Sequence, residues 1–198
     1  MTTMEEMFEI MIHDFLQKGY AVMDEFIPDE VVCRLNKSLL RRLDHDQMQE
    51  SNIGQPGIFQ RDPGIRRDLI SWIDEENTNQ EEKYYLDHVS DFMKHLNQVC
   101  NTGLSSIESH YAWFGQGSFY KRHVDRFQTD VGRKFSLVTY LNTSWPEGTG
   151  GELVLYIDSK EIKISPNGGR AVFFQSNIIE HEVLSSYKPR LSISGWLK

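Results

Sequence analysis

The 198-residue sequence predicts an α+β fold, with helices packed on one face of an antiparallel β structure. Two textures carry that expectation. Through about residue 104, apolar residues recur at helical steps of three and four; from about residue 105, short β-rich runs are separated by turn residues. No long helical pattern divides those later runs, so they do not fit a parallel α/β sheet and suit a sandwich or small barrel. The length fits one core, and a single domain is expected over 1–198, with 1–104 as helical support and lid and 105–198 as the β core.

The elements follow in chain order. Met4, Met7, Phe8, Met11, Phe15 and Leu16 fall on one face of a first helix that stops near Gly19. A short strand is expected over 20–27. Pro28 and Asp29 then open a second helix, whose Val31, Val32, Leu35, Leu39, Leu40 and Leu43 face inward. Over 47–64 the pattern breaks into a loop with Gly54, Pro56, Gly57, Pro63 and Gly64; a loop this long in a compact domain suits a flap over a site. A strand at 66–73 and a third helix at about 81–99 follow, the helix turning Tyr85, Leu86, Val89, Phe92, Met93 and Leu96 inward. Strands are then expected at 107–114, 118–124, 134–142, 152–157, 161–164, 170–175, 182–184 and 190–197, with turns at 115–117, 148–151, 158–160 and 166–169.

Charge and composition narrow the function. A formal net charge of -8 argues against a general nucleic-acid binder, and the Arg41–Arg42 pair is expected on a solvated face. No apolar run reaches the roughly 18 residues of a membrane span. The acidic start, with Glu5, Glu6 and Glu9, is unlike the basic start of a signal peptide, so a cytoplasmic protein without a membrane partner is expected. Cys33 and Cys100 have no CxxC neighbour and are expected as buried thiols.

The chemistry begins with His123 and Asp125. One residue separates them at the end of an expected strand, so both side chains point to the same face. His181 begins another strand, and two histidines with one carboxylate leave open positions on a metal, as in non-haem Fe(II) oxygenases. H-x-D alone is a weak motif. Arg190 sharpens it: nine residues after His181, it shares a strand face with Ser192, Ser194 and Trp196, and an inward arginine among apolar strands calls for an anion. A dicarboxylate would meet that guanidinium in a bidentate pair. Tyr140, in register with Ser136 and Val138, offers the same carboxylate a phenolic donor. His13, His45, His88, His95 and His110 lack partners at ligand spacing and are expected as surface or structural residues.

Taken together, Tyr120, His123, Asp125, Tyr140-Leu141-Asn142, Trp145, Gly150-Gly151, His181-Glu182-Val183, Arg190 and Trp196 resemble the 2-oxoglutarate-dependent prolyl 4-hydroxylases. The likeness is to the branch of hypoxia-sensing prolyl hydroxylases and their bacterial relatives. It extends upstream to Arg66, Asp68 and Trp72, which resemble the family's Arg-x-Asp-x-x-x-Trp segment beside the substrate cleft. The resemblance implies a double-stranded β-helix, or jelly roll, with iron on His123, Asp125 and His181 at one mouth. It also implies 2-oxoglutarate against Arg190 and Tyr140, with Val138, Leu153, Val183, Ser194 and Trp196 lining the pocket. Trp113 stands ten residues before His123, where many relatives have tyrosine, and is expected near the metal-binding end of 2-oxoglutarate. Fe(II), 2-oxoglutarate and O2 are the implied cofactors, with ascorbate as an accessory.

The implied reaction is hydroxylation of a C–H bond with release of succinate and CO2. Its substrate is a protein or peptide bearing proline, met by Arg66, Asp68, Trp72 and Arg133, and the enzyme is a monomer or weak homodimer. Asp68 and Arg133 are expected to pair and leave Arg66 for the polypeptide. The alternatives are a hydroxylase of a free amino acid or small metabolite, and a metal-binding β-barrel sensor without turnover. A zinc hydrolase fits less well, since His181-Glu182 lacks the second histidine of an H-E-x-x-H helix.

Overall fold

The computed structural model describes residues 2–51, 62, 64–74, 76, 78–125 and 132–198. In chain order the elements are α1 (Met4–Lys18), β1 (Tyr20–Met23), α2 (Asp29–Asp44), β2 (Gln49–Glu50), β3 (Asp68–Trp72), α3 (Gln80–Cys100), β4 (Ile107–Phe114), β5 (Tyr120–His123), β6 (Phe135–Tyr140), β7 (Leu153–Ile157), β8 (Lys160–Ile164), β9 (Ala171–Gln175), β10 (Glu180–Val183) and β11 (Arg190–Leu197). The strands form a seven-stranded sheet, β1-β9-β6-β11-β4-β3-β2, and a four-stranded sheet, β5-β10-β7-β8. The pairings between them are antiparallel.

The helices begin and end where local chemistry satisfies their free backbone groups. Thr3 and Glu6 form a capping box at α1, and Asn79 and Glu82 form another at α3. Gly19 closes α1 in the left-handed conformation, at φ 81°. The second box also fastens two helices together, because buried Glu82 accepts from the Asn79 backbone and, at 2.8 Å, from Arg42 of α2. Arg42 also donates to Ser71 Oγ and the Trp72 carbonyl, so it is not the solvated residue expected of the Arg41–Arg42 pair.

Alternation along the large sheet sorts its side chains into two cores. Tyr111, Leu137, Phe173, Leu191 and Ile193 point outward against Phe8, Met11, Ile12, Leu35, Leu39 and Phe92 of the helices. Ala112, Phe114, Val138, Tyr140, Val172 and Phe174 point inward, toward Leu153, Leu155 and Val183 of the small sheet. This is the jelly-roll arrangement with helices on one face. Removing a fully buried ring such as Phe173 would cost about 3–5 kcal/mol.

Several expected positions shift. Met4, Leu16 and Leu40 are exposed, since the helical stripes that bury are narrower than the apolar sequence pattern. Cys33 is exposed, because its side of α2 faces away from the sheet, and Cys100 is only partly buried. The strand expected over 20–27 ends at Met23, although Phe26 and Ile27 remain in the core. Most of the 47–64 flap lies outside the described residues, but β2 falls within that range. Among the described residues, no helix is long and apolar enough to cross a membrane.

Candidate active site

Strand register brings His123 and His181 together, because the two are directly paired between β5 and β10. Asp125 follows β5, its backbone amide donating to the Ser176 carbonyl at 3.1 Å. Its Oδ1 lies 3.6 Å from Nε2 of each histidine. The ligand atoms of the three residues all fall within 4.8 Å of one another. Both Nδ1 atoms face carbonyls, that of His123 at 2.7 Å from Lys121 O and that of His181 at 3.1 Å from Ile179 O. Protons on Nδ1 would donate to those carbonyls and leave the Nε2 lone pairs toward Asp125.

Burial and neighbouring charge set the state of this cluster. Burial lowers the His123 pKa, and the nearby His181 adds to that effect against the pull of Asp125. Burial also acts against charge on His181, yet the Asp125 carboxylate outweighs it and raises this imidazole above its ordinary value. Asp125 is held well below the usual carboxylate range: its burial opposes ionisation, but the two histidines prevail. Two imidazoles and an ionised carboxylate, all within reach of one point, suit a divalent transition metal and leave further coordination positions open.

Ser136 donates to Asp125 Oδ2 at 2.7 Å and lies 2.8 Å from Ser176 Oγ. Neither serine was singled out from sequence for this role. The available signal was a small polar residue, Ser136, on the same strand face as Val138 and Tyr140.

A cleft of about 500 Å³ runs from this cluster into the barrel, lined by Phe114, Val138, Leu153, Val183, Ser194 and Trp196, with Arg190 at its wall. Arg190 is 2% exposed. Its Nε donates to the Gly151 carbonyl at 3.0 Å and its Nη1 to Ser192 Oγ at 3.2 Å. Among the described residues, no carboxylate forms an ion pair with it, and burial pushes its pKa down. The buried Tyr140 Oη has no hydrogen-bond partner, while Arg190 Cζ sits 4.9 Å from the Tyr140 ring centroid. A buried guanidinium with no carboxylate ion pair among the described residues, beside the buried Tyr140 phenol, fits a carboxylate ligand.

Gly151 makes this seat possible. Its φ of 75° is left-handed, and an added Cβ would lie 2.9 Å from both Ser186 and Trp145 and 3.5 Å from Arg190 Cδ.

Two sequence expectations are corrected here. Trp113 does not face the cleft; strand alternation turns it toward the helical core, and Phe114 is the inward aromatic, its ring 5.0 Å from Arg190 Cζ. The Asp68–Arg133 pair is replaced by two others. Asp68 takes Arg66 through both oxygens, at 2.7 and 2.5 Å, while Arg133 donates to Glu108 at 3.0 Å and covers the Trp196 ring at 3.6 Å. Arg66 and Asp68 are only two residues apart and share one side of the chain, which makes the local pair the shorter route. Trp72 is 41% exposed at the rim. His110, which lacks any ligand-spacing signal, is buried in the cleft wall between Trp72 and Trp196, and burial lowers its pKa to about 4.

The jelly roll with a two-histidine, one-carboxylate cluster and a buried arginine fits a non-haem iron oxygenase that takes a 2-oxo acid. The chain's comparisons agree. Residues 109–198 match the model of the 2OG-Fe(II) oxygenase superfamily. A crystal structure of a Pseudomonas putida prolyl-4-hydroxylase is 31% identical, with 97% of this chain and 98% of that one covered and a TM-score of 0.88. A Trichoplax adhaerens prolyl hydroxylase, in complex with a hypoxia inducible factor peptide fragment, has the same fold, with a TM-score of 0.89, 24% identity, and coverage of 98% of this chain and 90% of that one. Prolyl 3-hydroxylase OGFOD1 of Xenopus laevis is 31% identical over 138 residues, 62% of this chain but 26% of the longer protein. This chain belongs to the 2-oxoglutarate- and Fe(II)-dependent oxygenases of the prolyl 4-hydroxylase family. Its cofactors are Fe(II), 2-oxoglutarate and O2.

Proposed function

We propose that this protein hydroxylates a prolyl residue of a protein or peptide, at the 4-position. The carrying observation is that the candidate metal cluster and buried Arg190 share one cleft with an open rim, bearing exposed Trp72 and the Arg66–Asp68 and Glu108–Arg133 pairs. A free amino acid would favour an enclosed pocket, whereas a polypeptide needs a rim along which to lie. The near full-length likeness to a bacterial prolyl-4-hydroxylase favours the 4-position over the 3-position named for the OGFOD1 relatives, which match over part of their length.

In this proposal, His123, Asp125 and His181 hold the iron. When bound, Fe(II) with 2-oxoglutarate and O2 supplies oxidative decarboxylation, which releases succinate and CO2 and delivers one oxygen atom to a C–H bond. Arg190 grips the far carboxylate of 2-oxoglutarate and Tyr140 donates a second hydrogen bond to it. Val138, Leu153 and Val183 keep water from the co-substrate, and Ser136 fixes the orientation of Asp125. At the rim, Trp72 offers an apolar face to the pyrrolidine or its neighbours.

The test is mass spectrometry of proline-containing peptides after incubation with enzyme, Fe(II) and 2-oxoglutarate. A gain of one oxygen on proline, matched by succinate, is expected. Succinate formed with free amino acids alone, and no modified peptide from a diverse proline library, would overturn it.

A further inference from the structure

The half-buried Tyr120 joins the cleft rim to the metal cluster. On one side its ring stacks on His123, with centroids 3.5 Å apart and planes 17° apart. On the other, Arg66 Cζ lies 4.3 Å from the same ring centroid. The backbone holds these partners in place: Arg66 and Tyr120 form an antiparallel bridge, and flanking bonds run from Arg67 N to Phe119 O at 3.1 Å and from Lys121 N to Ile65 O at 2.9 Å. Arg66 is fixed in turn by Asp68, whose Oδ1 accepts from the Ser51 hydroxyl at 2.5 Å. Ser51 and Asp68 are both buried. A continuous line of packed groups therefore leads from Ser51 through Asp68, Arg66 and Tyr120 to His123.

We propose that Tyr120 is a positioning residue that sets the His123 ring and couples the metal site to the Arg66–Asp68 pair at the rim. This rests on the assignment of His123 as a metal ligand. A flat ring against an imidazole restricts its rotation, which adds to the hold of the Lys121 carbonyl on Nδ1. A cation over the far face of that ring holds the tyrosine against the histidine. A polypeptide that engages the more exposed Arg66 then shifts the seat of a metal ligand without touching it. The alternative is that the stack only packs β5 against its neighbours, in which case its loss lowers stability and leaves metal geometry unchanged.

Co(II) distinguishes the two, since its visible absorption bands report ligand geometry independently of turnover. Apoprotein is titrated with Co(II) in the presence of 2-oxoglutarate. Tyr120→Leu should weaken Co(II) binding by about tenfold, the lower end for loss of a group that orients a ligand, and move the bands. Tyr120→Phe keeps the ring and should stay within about twofold of the native protein. Arg66→Lys preserves charge beside Asp68 but loses the planar guanidinium; it should weaken binding by about threefold in the native chain and have no further effect in the Tyr120→Leu background. Native affinity and bands in Tyr120→Leu overturn the proposal, as does an equal Arg66→Lys effect in both backgrounds. If Tyr120→Leu does not fold, Arg66→Lys alone decides: a moved Co(II) band supports the coupling and an unmoved one overturns it. Co(II) binding that survives His181→Ala undiminished would instead overturn the metal assignment itself.

Discussion

Ser136 Oγ donates a hydrogen bond of 2.7 Å to Oδ2 of Asp125. That contact occupies one carboxylate oxygen and leaves Oδ1, the atom facing both histidines, for a metal. Ser136→Ala should therefore weaken Fe(II) or Mn(II) binding by about 10-fold or more, and should also destabilise the apoprotein by about 1–3 kcal/mol, because buried Ser136 is a partner of both Asp125 and Ser176. Metal titration alongside thermal melts checks this. Unchanged affinity would show that the backbone alone fixes Asp125.

The metal assignment has a more direct test. His123→Ala or His181→Ala should abolish 2-oxoglutarate consumption, since two remaining donors hold the metal poorly. The fold should persist, because removing either imidazole leaves the apolar side chains of both cores in place. Far-UV circular dichroism measured with succinate release separates the outcomes, and full turnover in either variant would falsify the triad.

Periodicity revealed much of this architecture, and its failures share a physical cause. The strand ranges 107–114 and 190–197 were legible without error because Ile107, Tyr111, Trp113 and Phe114 in β4, and Leu191, Ile193, Trp196 and Leu197 in β11, are apolar residues on strands largely buried on both faces. His123, His181 and Arg190 stood out because polar residues at strand positions facing a core have few structural uses, and Asp125, just past β5, because a single residue separates it from His123. Trp113 was assigned to the pocket from its position ten residues before His123 in the family likeness, and that count does not fix the face of β4 it occupies, since adjacent residues on a strand take opposite faces. Phe114 thus takes the inward position. The Arg66–Asp68 pair was missed because spacing says which residues share a face, while the choice among nearby cations is made by rotamers and backbone bridges that spacing does not contain.

Arg190 carries a prediction in two parts. Arg190→Ala should raise the 2-oxoglutarate requirement by about 30-fold or more, the equivalent of losing hydrogen bonds to a charged group worth about 2 kcal/mol. Lysine should rescue only in part, since a point charge lacks the planar fork. Arg190→Met should melt no lower than the native apoprotein, because it removes an uncompensated buried cation. Added 2-oxoglutarate should then raise the native melting temperature but not that of the variant. A variant stabilised equally by 2-oxoglutarate would show that the carboxylate binds elsewhere.

Asp68 supplies the pH dependence. Its side chain is 1% exposed and bonded to Arg66 and Ser51. Burial opposes its ionisation, yet the Arg66 hydrogen bond and charge hold its pKa below the ordinary 3.8. A depressed carboxylate adds stability that is fully present above its unfolded pKa and is lost as pH falls through the folded value. The native protein should therefore exceed Asp68→Asn by about 3 kcal/mol near neutrality, as expected when one partner of a buried pair is removed. That gap should stay level down to about pH 5 and narrow below the ordinary 3.8. Urea unfolding of both proteins between pH 3 and 7 measures it. A gap that is constant across the whole range would mean that the asparagine acts through packing rather than charge. If it does narrow, the same variant bears on function: with both rates measured at saturating Fe(II), which offsets any weakening passed through Arg66 and Tyr120 to His123, loss of the Arg66 partner should reduce coupled turnover on a proline peptide more than uncoupled consumption of 2-oxoglutarate, because the Arg190 seat and its Gly151 contact are untouched. Equal loss of both rates would assign the effect to stability and remove Asp68 from the substrate rim.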